Sequence, residues 1–578
     1  MDNEPTSTGT RHALAWWRSG TIYQIYPHSF ADSDSDGLGD LRGIIQHVDH
    51  LAWLGVDAVW LSPIYPSPQH DNGYDVADYR DIDPRFGTLD DLDDLIARLH
   101  DADIRLVLDL VVNHTSSEHP WFLDSSSSRR SDRRDWYIWR DPRPGFVGGE
   151  PGAEPTNWGS YFGGSAWKWD ARTGQYYLHL FAEQQPDLNW ENPAVREAVH
   201  DMMKWWLDRG VDGFRMDVIN LISKPAEYSD GRATKLEGWA DPSPFVTHGP
   251  HLETFLAEMH AEVFADRTPD LVRIGETPGV TIEQAQRLTR SREAGLDMVF
   301  AFEHVEVDRE HGDWLAPLPL HIPSLRRVMQ RWQTGLGSVG WNSLYANNHD
   351  QPRMVSRFGD PSPENWAASA KAVALAFYLQ QGTMSMYQGE EIGMIGATLD
   401  GPEDLRDISS RNYFASAVAA GRLPDDVLAA LRITARDNAR TPMHWTGGLD
   451  RGFGSASPWM RFAEYPAGVS VERQKDDPAS ILYFYRQLIA ARHRVNALAE
   501  GSTRFLDTGD SPVIAYERVT ETERFVVVAN LSASAQAWPD ELADAGLTAD
   551  RPRILSSREA SHDALAPWEA LLIDATGV

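Results

Sequence analysis

Residues 103–114 read DIRLVLDLVVNH: an apolar, β-branched run with a buried-strand composition, ending in a polar pair, Asn113 and His114. A strand that is apolar on both faces belongs to a sheet covered on both sides, which is the habit of parallel sheets. The same texture recurs at 21–30 (TIYQIYPHSF), 56–63 (VDAVWLSP), 210–217 (GVDGFRMD), 271–276 (LVRIGE), 296–302 (LDMVFAF) and 383–391 (TMSMYQGEE). Helix-period segments such as TLDDLDDLIARLHDA (88–102) and VREAVHDMMKWWLDRG (195–210) lie between them. Seven or eight strand–helix units predict a (β/α)8 barrel, whose working residues sit at the C-terminal strand ends.

The repeat is interrupted twice. A Trp-, Gly-, Ser- and Pro-rich stretch from 114 to about 180 reads as a small inserted domain without helical periodicity, and SSSSRRSDRR (125–134) within it reads as an exposed loop. A second insertion runs from about 392 to 455, and SILYFYRQLIAARHRV (480–495) reads as the last barrel helix. The expected layout is a catalytic barrel over 1–113 and 181–495, the inserted domain over 114–180, and a small antiparallel β domain over 500–578 built from VIAYERVT, RFVVVANL, PRILSS and EALLID.

Composition narrows the function. The chain of 578 residues carries 53 Lys and Arg against 85 Asp and Glu, a net charge of −32. That disfavours nucleic acid, anionic membranes and polyanionic substrates, and leaves neutral small molecules. With no cysteine, disulfides, thiolate catalysis and thiolate metal sites are excluded. The first twenty residues lack the apolar run of a signal peptide, and no stretch has the length of a membrane span, so a cytoplasmic protein is expected, a monomer or weak homo-oligomer. Twenty-two tryptophans, many in loop-like settings, supply flat faces suited to sugar rings as well as to packing.

Three carboxylates fall at strand ends: Asp217 in GFRMDV, Glu276 in RIGET and Asp350 in NNHDQPR. Singly, such a residue serves as readily to cap a helix. Together at one barrel rim they form a minimal apparatus for glycosidic cleavage, in which one carboxyl must be ionised and another must hold a proton. Arg215 shares a strand face with Asp217. Its charge is expected to lower that aspartate and keep it a nucleophilic carboxylate, with Glu276, which no neighbouring base follows, as the acid/base.

DLVVNHTS, GFRMDVINLISK, IGET, NNHDQPR and QQPDLNWENP (184–193) resemble, in order and spacing, the signatures of the α-amylase family of glycoside hydrolases, most closely its oligo-1,6-glucosidase branch. The resemblance runs from about residue 17 into the C-terminal domain. It implies Asp217 as nucleophile, Glu276 as acid/base and Asp350 as stabiliser of the distorted sugar, in a retaining reaction. It also implies that His114 and His349 bind the reacting sugar, that Asp71 and Arg440 pair to close the pocket floor, that Tyr74 gives the sugar a stacking face, and that Phe181 lines the entrance. A closed floor means release of one glucose at a time from a chain end. Val218, directly after Asp217, goes with preference for α-1,6 links in this branch. Ala346 and His444 depart from the branch pattern, as does the 392–435 segment.

DSDSDGLGD (32–40) begins as an EF-hand loop, with oxygens at Asp32, Asp34, Asp36 and Asp40, a carbonyl at Leu38 and a turn at Gly37, but Gly43 stands where the loop's twelfth-position glutamate belongs. By resemblance the loop is expected to hold a structural Ca²⁺ or Mg²⁺. Competing readings are a non-catalytic transporter-subunit relative, which should have lost the carboxylates and gained an anchor; an α-1,4-preferring glucosidase or sucrose hydrolase; a sucrose isomerase or trehalose synthase with the same triad; and a trehalose-6-phosphate hydrolase, which needs a basic cluster at the pocket mouth that the sequence does not display.

Overall fold

The protein is described by a computed structural model covering residues 15–577 except 236–237, 269, 311–312, 314–315, 466–467, 549–550, 560 and 562. The first fourteen residues, part of the segment read for a leader, lie outside it. Eight parallel strands form the barrel: β1 Thr21–Ile25, β2 Ala58–Leu61, β3 Arg105–Leu110, β4 Gly213–Met216, β5 Val272–Glu276, β6 Met298–Phe300, β7 Ser343–Leu344 and β8 Thr383–Tyr387. Their lateral order is β7-β8-β1-β2-β3-β4-β5-β6. The ring closes through a parallel bridge between Val299 of β6 and Asn342, just before β7.

The strands are short and nearly all buried, as their apolar runs require. The helix Leu89–Asp101 begins at a reciprocal cap between Thr88 and Asp91, and buries Leu92, Leu95, Ile96 and Leu99 at the spacing of one helical face. The helices Pro193–Asp208 and Ile481–Arg494 start at Asn192 and Ser480, whose side chains accept the first free backbone N–H groups. Ala346 is fully buried in the barrel core, and His444 packs edge-on against Tyr465 with ring centroids 4.4 Å apart.

Between β3 and Pro193 the chain builds a three-stranded antiparallel sheet, with Gln175–Leu178 between Trp139–Arg140 and Trp167–Asp170. This stretch is not free of helix, because Pro120–Ser127 is helical behind a His119 cap. The serine–arginine segment is thus no simple exposed loop. Its first three serines finish that helix, and Arg134 is half-buried and hydrogen-bonded to Ser125 O, Thr173 Oγ1 and Gln175 Oε1.

After β8 the second insertion folds into two helices, Ile408–Ala419 and Pro424–Thr434, around a small apolar cluster including Leu399, Leu405 and Leu431. The C-terminal sheet has five antiparallel strands: β9 Ser502–Phe505, β10 Val513–Val519, β11 Arg524–Asn530, β12 Arg553–Ser556 and β13 Ala570–Asp574, in the order β9-β10-β11-β13-β12. Among the described residues no helix is long and apolar enough to cross a membrane.

Candidate active site

In parallel strands, residues in register share a face. Asp109 of β3 stands opposite Arg215 of β4, and Asp217, two residues on, points the same way. All three look into the top of the barrel. Arg215 is 1% exposed and spends its guanidinium on three carboxyl groups. Nη1 lies 2.8 Å from Asp109 Oδ1 and 2.7 Å from Asp217 Oδ1, while Nη2 lies 2.6 Å from Glu276 Oε1. The guanidinium also rests 4.8 Å from the Trp60 ring centroid. Asp109 is held in turn by Trp60 Nε1 at 3.1 Å and Tyr74 OH at 3.0 Å.

This corrects the simple assignment of Arg215 to Asp217. The arginine serves Glu276 equally, and it does not bring the aspartate below its ordinary range. Burial is the larger effect and pushes Asp217 up to about 7, with Arg215 opposing it and Asp109 adding to it. Glu276 is raised further, to about 8, by burial and by the neighbouring Asp217 charge, again against Arg215. Both carboxyls are thus raised by burial around one shared arginine, and Glu276 keeps a proton into the neutral range.

Val218 contributes through its backbone. It sits at φ 35°, ψ 41°, a left-handed conformation that is rare for a β-branched residue. In this pose its N–H donates to Glu276 Oε2 at 3.0 Å, so Glu276 is fixed by Arg215 at one oxygen and Val218 at the other. The Val218 side chain is 8% exposed and packs in the inserted domain's cluster with Trp158 and Leu180.

Asp350 follows β7 and is the open member of the trio, with its side chain 28% exposed. Burial of its surroundings would raise it, but His349, Arg436 and Arg440 outweigh that effect and hold it well below the usual carboxylate range. Arg440 Nη2 is 2.7 Å and Arg436 Nη1 3.2 Å from its Oδ1. The expected Asp71–Arg440 pair is replaced. Asp71 Oδ1 meets Arg436 Nη2 at 2.9 Å, while Arg440 turns to Asp350, to Asp407 at 3.4 Å and to the His349 carbonyl at 3.0 Å. Asp407, fully buried, lies 2.5 Å from Arg436 and links both arginines. The site is therefore bordered by a chain of five alternating charges, Asp71–Arg436–Asp407–Arg440–Asp350. Three come from the second insertion and its exit.

Both expected histidines are buried and neutral, since burial lowers His114 to about 4 and His349 to about 3. Gln24 Nε2 donates to His349 Nδ1 at 2.7 Å, which leaves the proton on Nε2. That Nε2 has no hydrogen-bond partner among the described residues and stands 3.5 Å from Asp350, a donor free for a sugar hydroxyl. Tyr74 stacks on His349, with centroids 5.2 Å apart and planes 3° off parallel. His114 Nε2 contacts Gln185 Nε2 at 3.2 Å, and Gln185 also donates to Asp71 Oδ2 at 3.1 Å. Phe181 packs on His114 at 5.1 Å. Every sugar-site residue expected from sequence is gathered here. Asp109, Trp60, Gln185, Asp407 and Arg436 were not singled out. The signal for Asp109 was present, as a lone acid inside an otherwise apolar strand.

In the 32–40 loop, carboxylate oxygens of Asp32, Asp34 and Asp40 lie within 4.8 Å of one another. Asp36 is not in that group; its Oδ1 accepts from Leu38 N at 2.7 Å and closes the turn. Gly37 has φ 100°, as the turn demands. Gly43 is explained by packing. A Cβ there would fall 2.1 Å from the Ala31 carbonyl oxygen, so no glutamate ligand fits, and its N–H instead donates to Asp40 Oδ1 at 2.7 Å.

Two buried carboxyl groups sharing an arginine at a barrel rim match the machinery of one class, the glycoside hydrolases that work through paired carboxyls. The family follows from comparison. Residues 24–501 match the α-amylase catalytic-domain model, and the chain belongs to the α-amylase family of glycoside hydrolases. It is 44% identical to an oligo-1,6-glucosidase of Parageobacillus thermoglucosidasius over 96% of this chain and 98% of that one. It is 45% identical to a trehalose-6-phosphate hydrolase of Escherichia coli strain K12 over 91% of this chain and 93% of that one. Among solved structures, isomaltulose synthase from Klebsiella sp. LX3 superposes with a TM-score of 0.90 at 36% identity, covering 97% of this chain and 99% of the other.

Proposed function

We propose that the protein is an exo-acting, retaining α-glucosidase that removes glucose from the non-reducing ends of short, neutral α-glucosides, with preference for α-1,6 links. The observation that carries this reading is the geometry of two buried carboxyls, Asp217 and Glu276, held 2.7 and 2.6 Å from one Arg215 guanidinium. Asp217, as a carboxylate, attacks the anomeric carbon. Glu276 gives its proton to the leaving oxygen and then takes one from the incoming water, and water releases the glucosyl-enzyme. Asp350, kept anionic by two arginines, faces the positive charge that develops on the sugar ring. The Asp71–Arg436 bridge and neutral His114 and His349 hold the terminal glucose. Several relatives, in Parageobacillus, Halalkalibacterium and Heyndrickxia, are named oligo-1,6-glucosidases, which supports the linkage preference.

Initial rates on isomaltose, maltose, sucrose, trehalose and trehalose 6-phosphate, with the anomer of released glucose followed by NMR, test this. Fastest cleavage of isomaltose with α-glucose as the first product is expected. Faster cleavage of maltose or trehalose 6-phosphate, or isomerisation of sucrose, would replace the substrate reading, and β-glucose would end the mechanism. The 32–40 loop is proposed to hold a structural Ca²⁺ or Mg²⁺ through Asp32, Asp34 and Asp40, hard oxygen donors suited to a hard cation.

A further inference from the structure

A cavity of about 620 Å³ lies between the inserted domain and the loop after β4, and none of the catalytic carboxylates lines it. Its charged walls are Arg129, Arg134, Arg140, Lys224 and His251 against Asp135 and Glu191. Three of the basic groups are already matched: Arg129 to Asp141 at 3.2 Å, Lys224 to Asp187 at 2.8 Å, and His251 to Glu191 at 2.9 Å. Arg134 and Arg140 have no carboxylate partner among the described residues. Arg134 donates only to neutral acceptors, Ser125 O at 2.9 Å, Thr173 Oγ1 at 3.1 Å and Gln175 Oε1 at 2.7 Å, and its Nε is buried without a partner. Arg140 makes one bond, to the Trp139 carbonyl at 2.8 Å, and lies 4.4 Å from the Tyr228 ring centroid.

Two guanidiniums without a carboxylate partner thus line one cavity in a chain of net charge −32. Burial lowers Arg134 to about 10, against the upward pull of the more distant Asp170 and Asp141. Guanidiniums suit carboxylate and phosphate oxygens because their N–H groups match them in pairs. The remaining walls include Pro225 and two rings that carry the guanidiniums, Trp139 under Arg134 at 3.5 Å and Tyr228 under Arg140 at 4.4 Å, and the volume lies in the range of small-molecule sites.

We propose that this cavity is a second ligand site, separate from the catalytic pocket, for an anionic monosaccharide whose phosphate or carboxylate is bound by Arg134 and Arg140. It stands apart from the reading of the catalytic pocket. The full chain is titrated calorimetrically with glucose 6-phosphate, glucuronate, inorganic phosphate and glucose. One equivalent of glucose 6-phosphate or glucuronate should bind, more tightly at low salt than at high, with whichever of the two binds identifying the anion. Glycosidase KM should stay unchanged in its presence. Arg140→Gln and, separately, Tyr228→Ala should each weaken binding by about tenfold or more while glycosidase activity persists. The proposal is overturned if neither anionic sugar binds, if phosphate or glucose alone binds as well, if binding competes with the glycoside substrate, or if both active, folded variants bind like the parent.

Discussion

Arg215 Nη2 stands 2.6 Å from Glu276 Oε1, while Nη1 of the same side chain stands 2.7 Å from Asp217 Oδ1. One buried cation thus limits how far burial can raise two carboxyl groups. The kcat/KM profile should be a bell whose two limbs are the apparent ionisations of the Asp217–Glu276 pair, both moved by burial above the ordinary carboxylate range. A profile flat from pH 5 to 9, measured on a neutral glucoside, would contradict this assignment. Linkage adds a stability test. Glu276 is raised in the fold from 4.5 to about 8, so the native state holds the extra proton in that window and stability falls as pH rises through it. Glu276→Gln should lose this slope, and its unfolding midpoint should exceed the parent's most clearly above pH 8.

Asp109 adds to the upward pressure on Asp217. Asp109→Asn removes a negative charge while keeping the shape, so the acidic limb of the profile should move to lower pH. Turnover should fall as well, because Arg215 loses the anchor at 2.8 Å that orients it. An unchanged acidic limb would show that Asp109 is electrostatically silent.

Arg436 bridges Asp71, Asp350 and Asp407. Arg436→Ala leaves those acids without a main counter-charge, and breaking buried pairs in this way costs about 3–5 kcal/mol. A lowered unfolding midpoint with nearly complete loss of kcat/KM is expected. Arg436→Lys should recover stability in part but little activity, since an ammonium does not span the partners a guanidinium reaches.

Val218 follows Asp217, and its side chain packs the inserted domain against the site. Val218→Thr keeps the branched shape but brings a hydroxyl, and the ratio of kcat/KM for isomaltose over maltose should fall by a factor within the roughly 10–200-fold worth of one methyl-sized contact. A ratio unchanged within error would remove the side chain from specificity and leave only its backbone role toward Glu276.

Chelation should lower the unfolding midpoint and added Ca²⁺ should restore it, because a cation bound to the native loop stabilises by mass action. Asp34→Asn and Asp40→Asn should blunt this response, while Asp36→Asn should leave it nearly intact, since Asp36 is outside the converging group.

Seven of the eight barrel strands were legible because each is a continuous apolar run. β7 has only two residues, Ser343 and Leu344, too few to carry a pattern, and its neighbour Asp350 was found through its motif instead. The site was legible where function rests on residues close in sequence, as with Arg215 and Asp217. It was hidden where contacts span the chain. Asp71 meets Arg436 across 365 positions, so no local pattern could prefer that arginine over Arg440. The pKa direction of Asp217 was misread for a related reason. The arginine is visible in sequence, whereas the burial that outweighs it belongs to the folded barrel.

The most direct test of the central claim is covalent trapping. The enzyme is incubated with a fluorinated α-glucosyl fluoride that forms the glycosyl-enzyme faster than water releases it, then digested and mapped by mass spectrometry. A single glucosyl adduct on Asp217 is expected, absent in Asp217→Asn. An adduct on Glu276 or Asp350, or turnover by Asp217→Asn within about tenfold of the parent, would contradict the assignment of Asp217 as nucleophile.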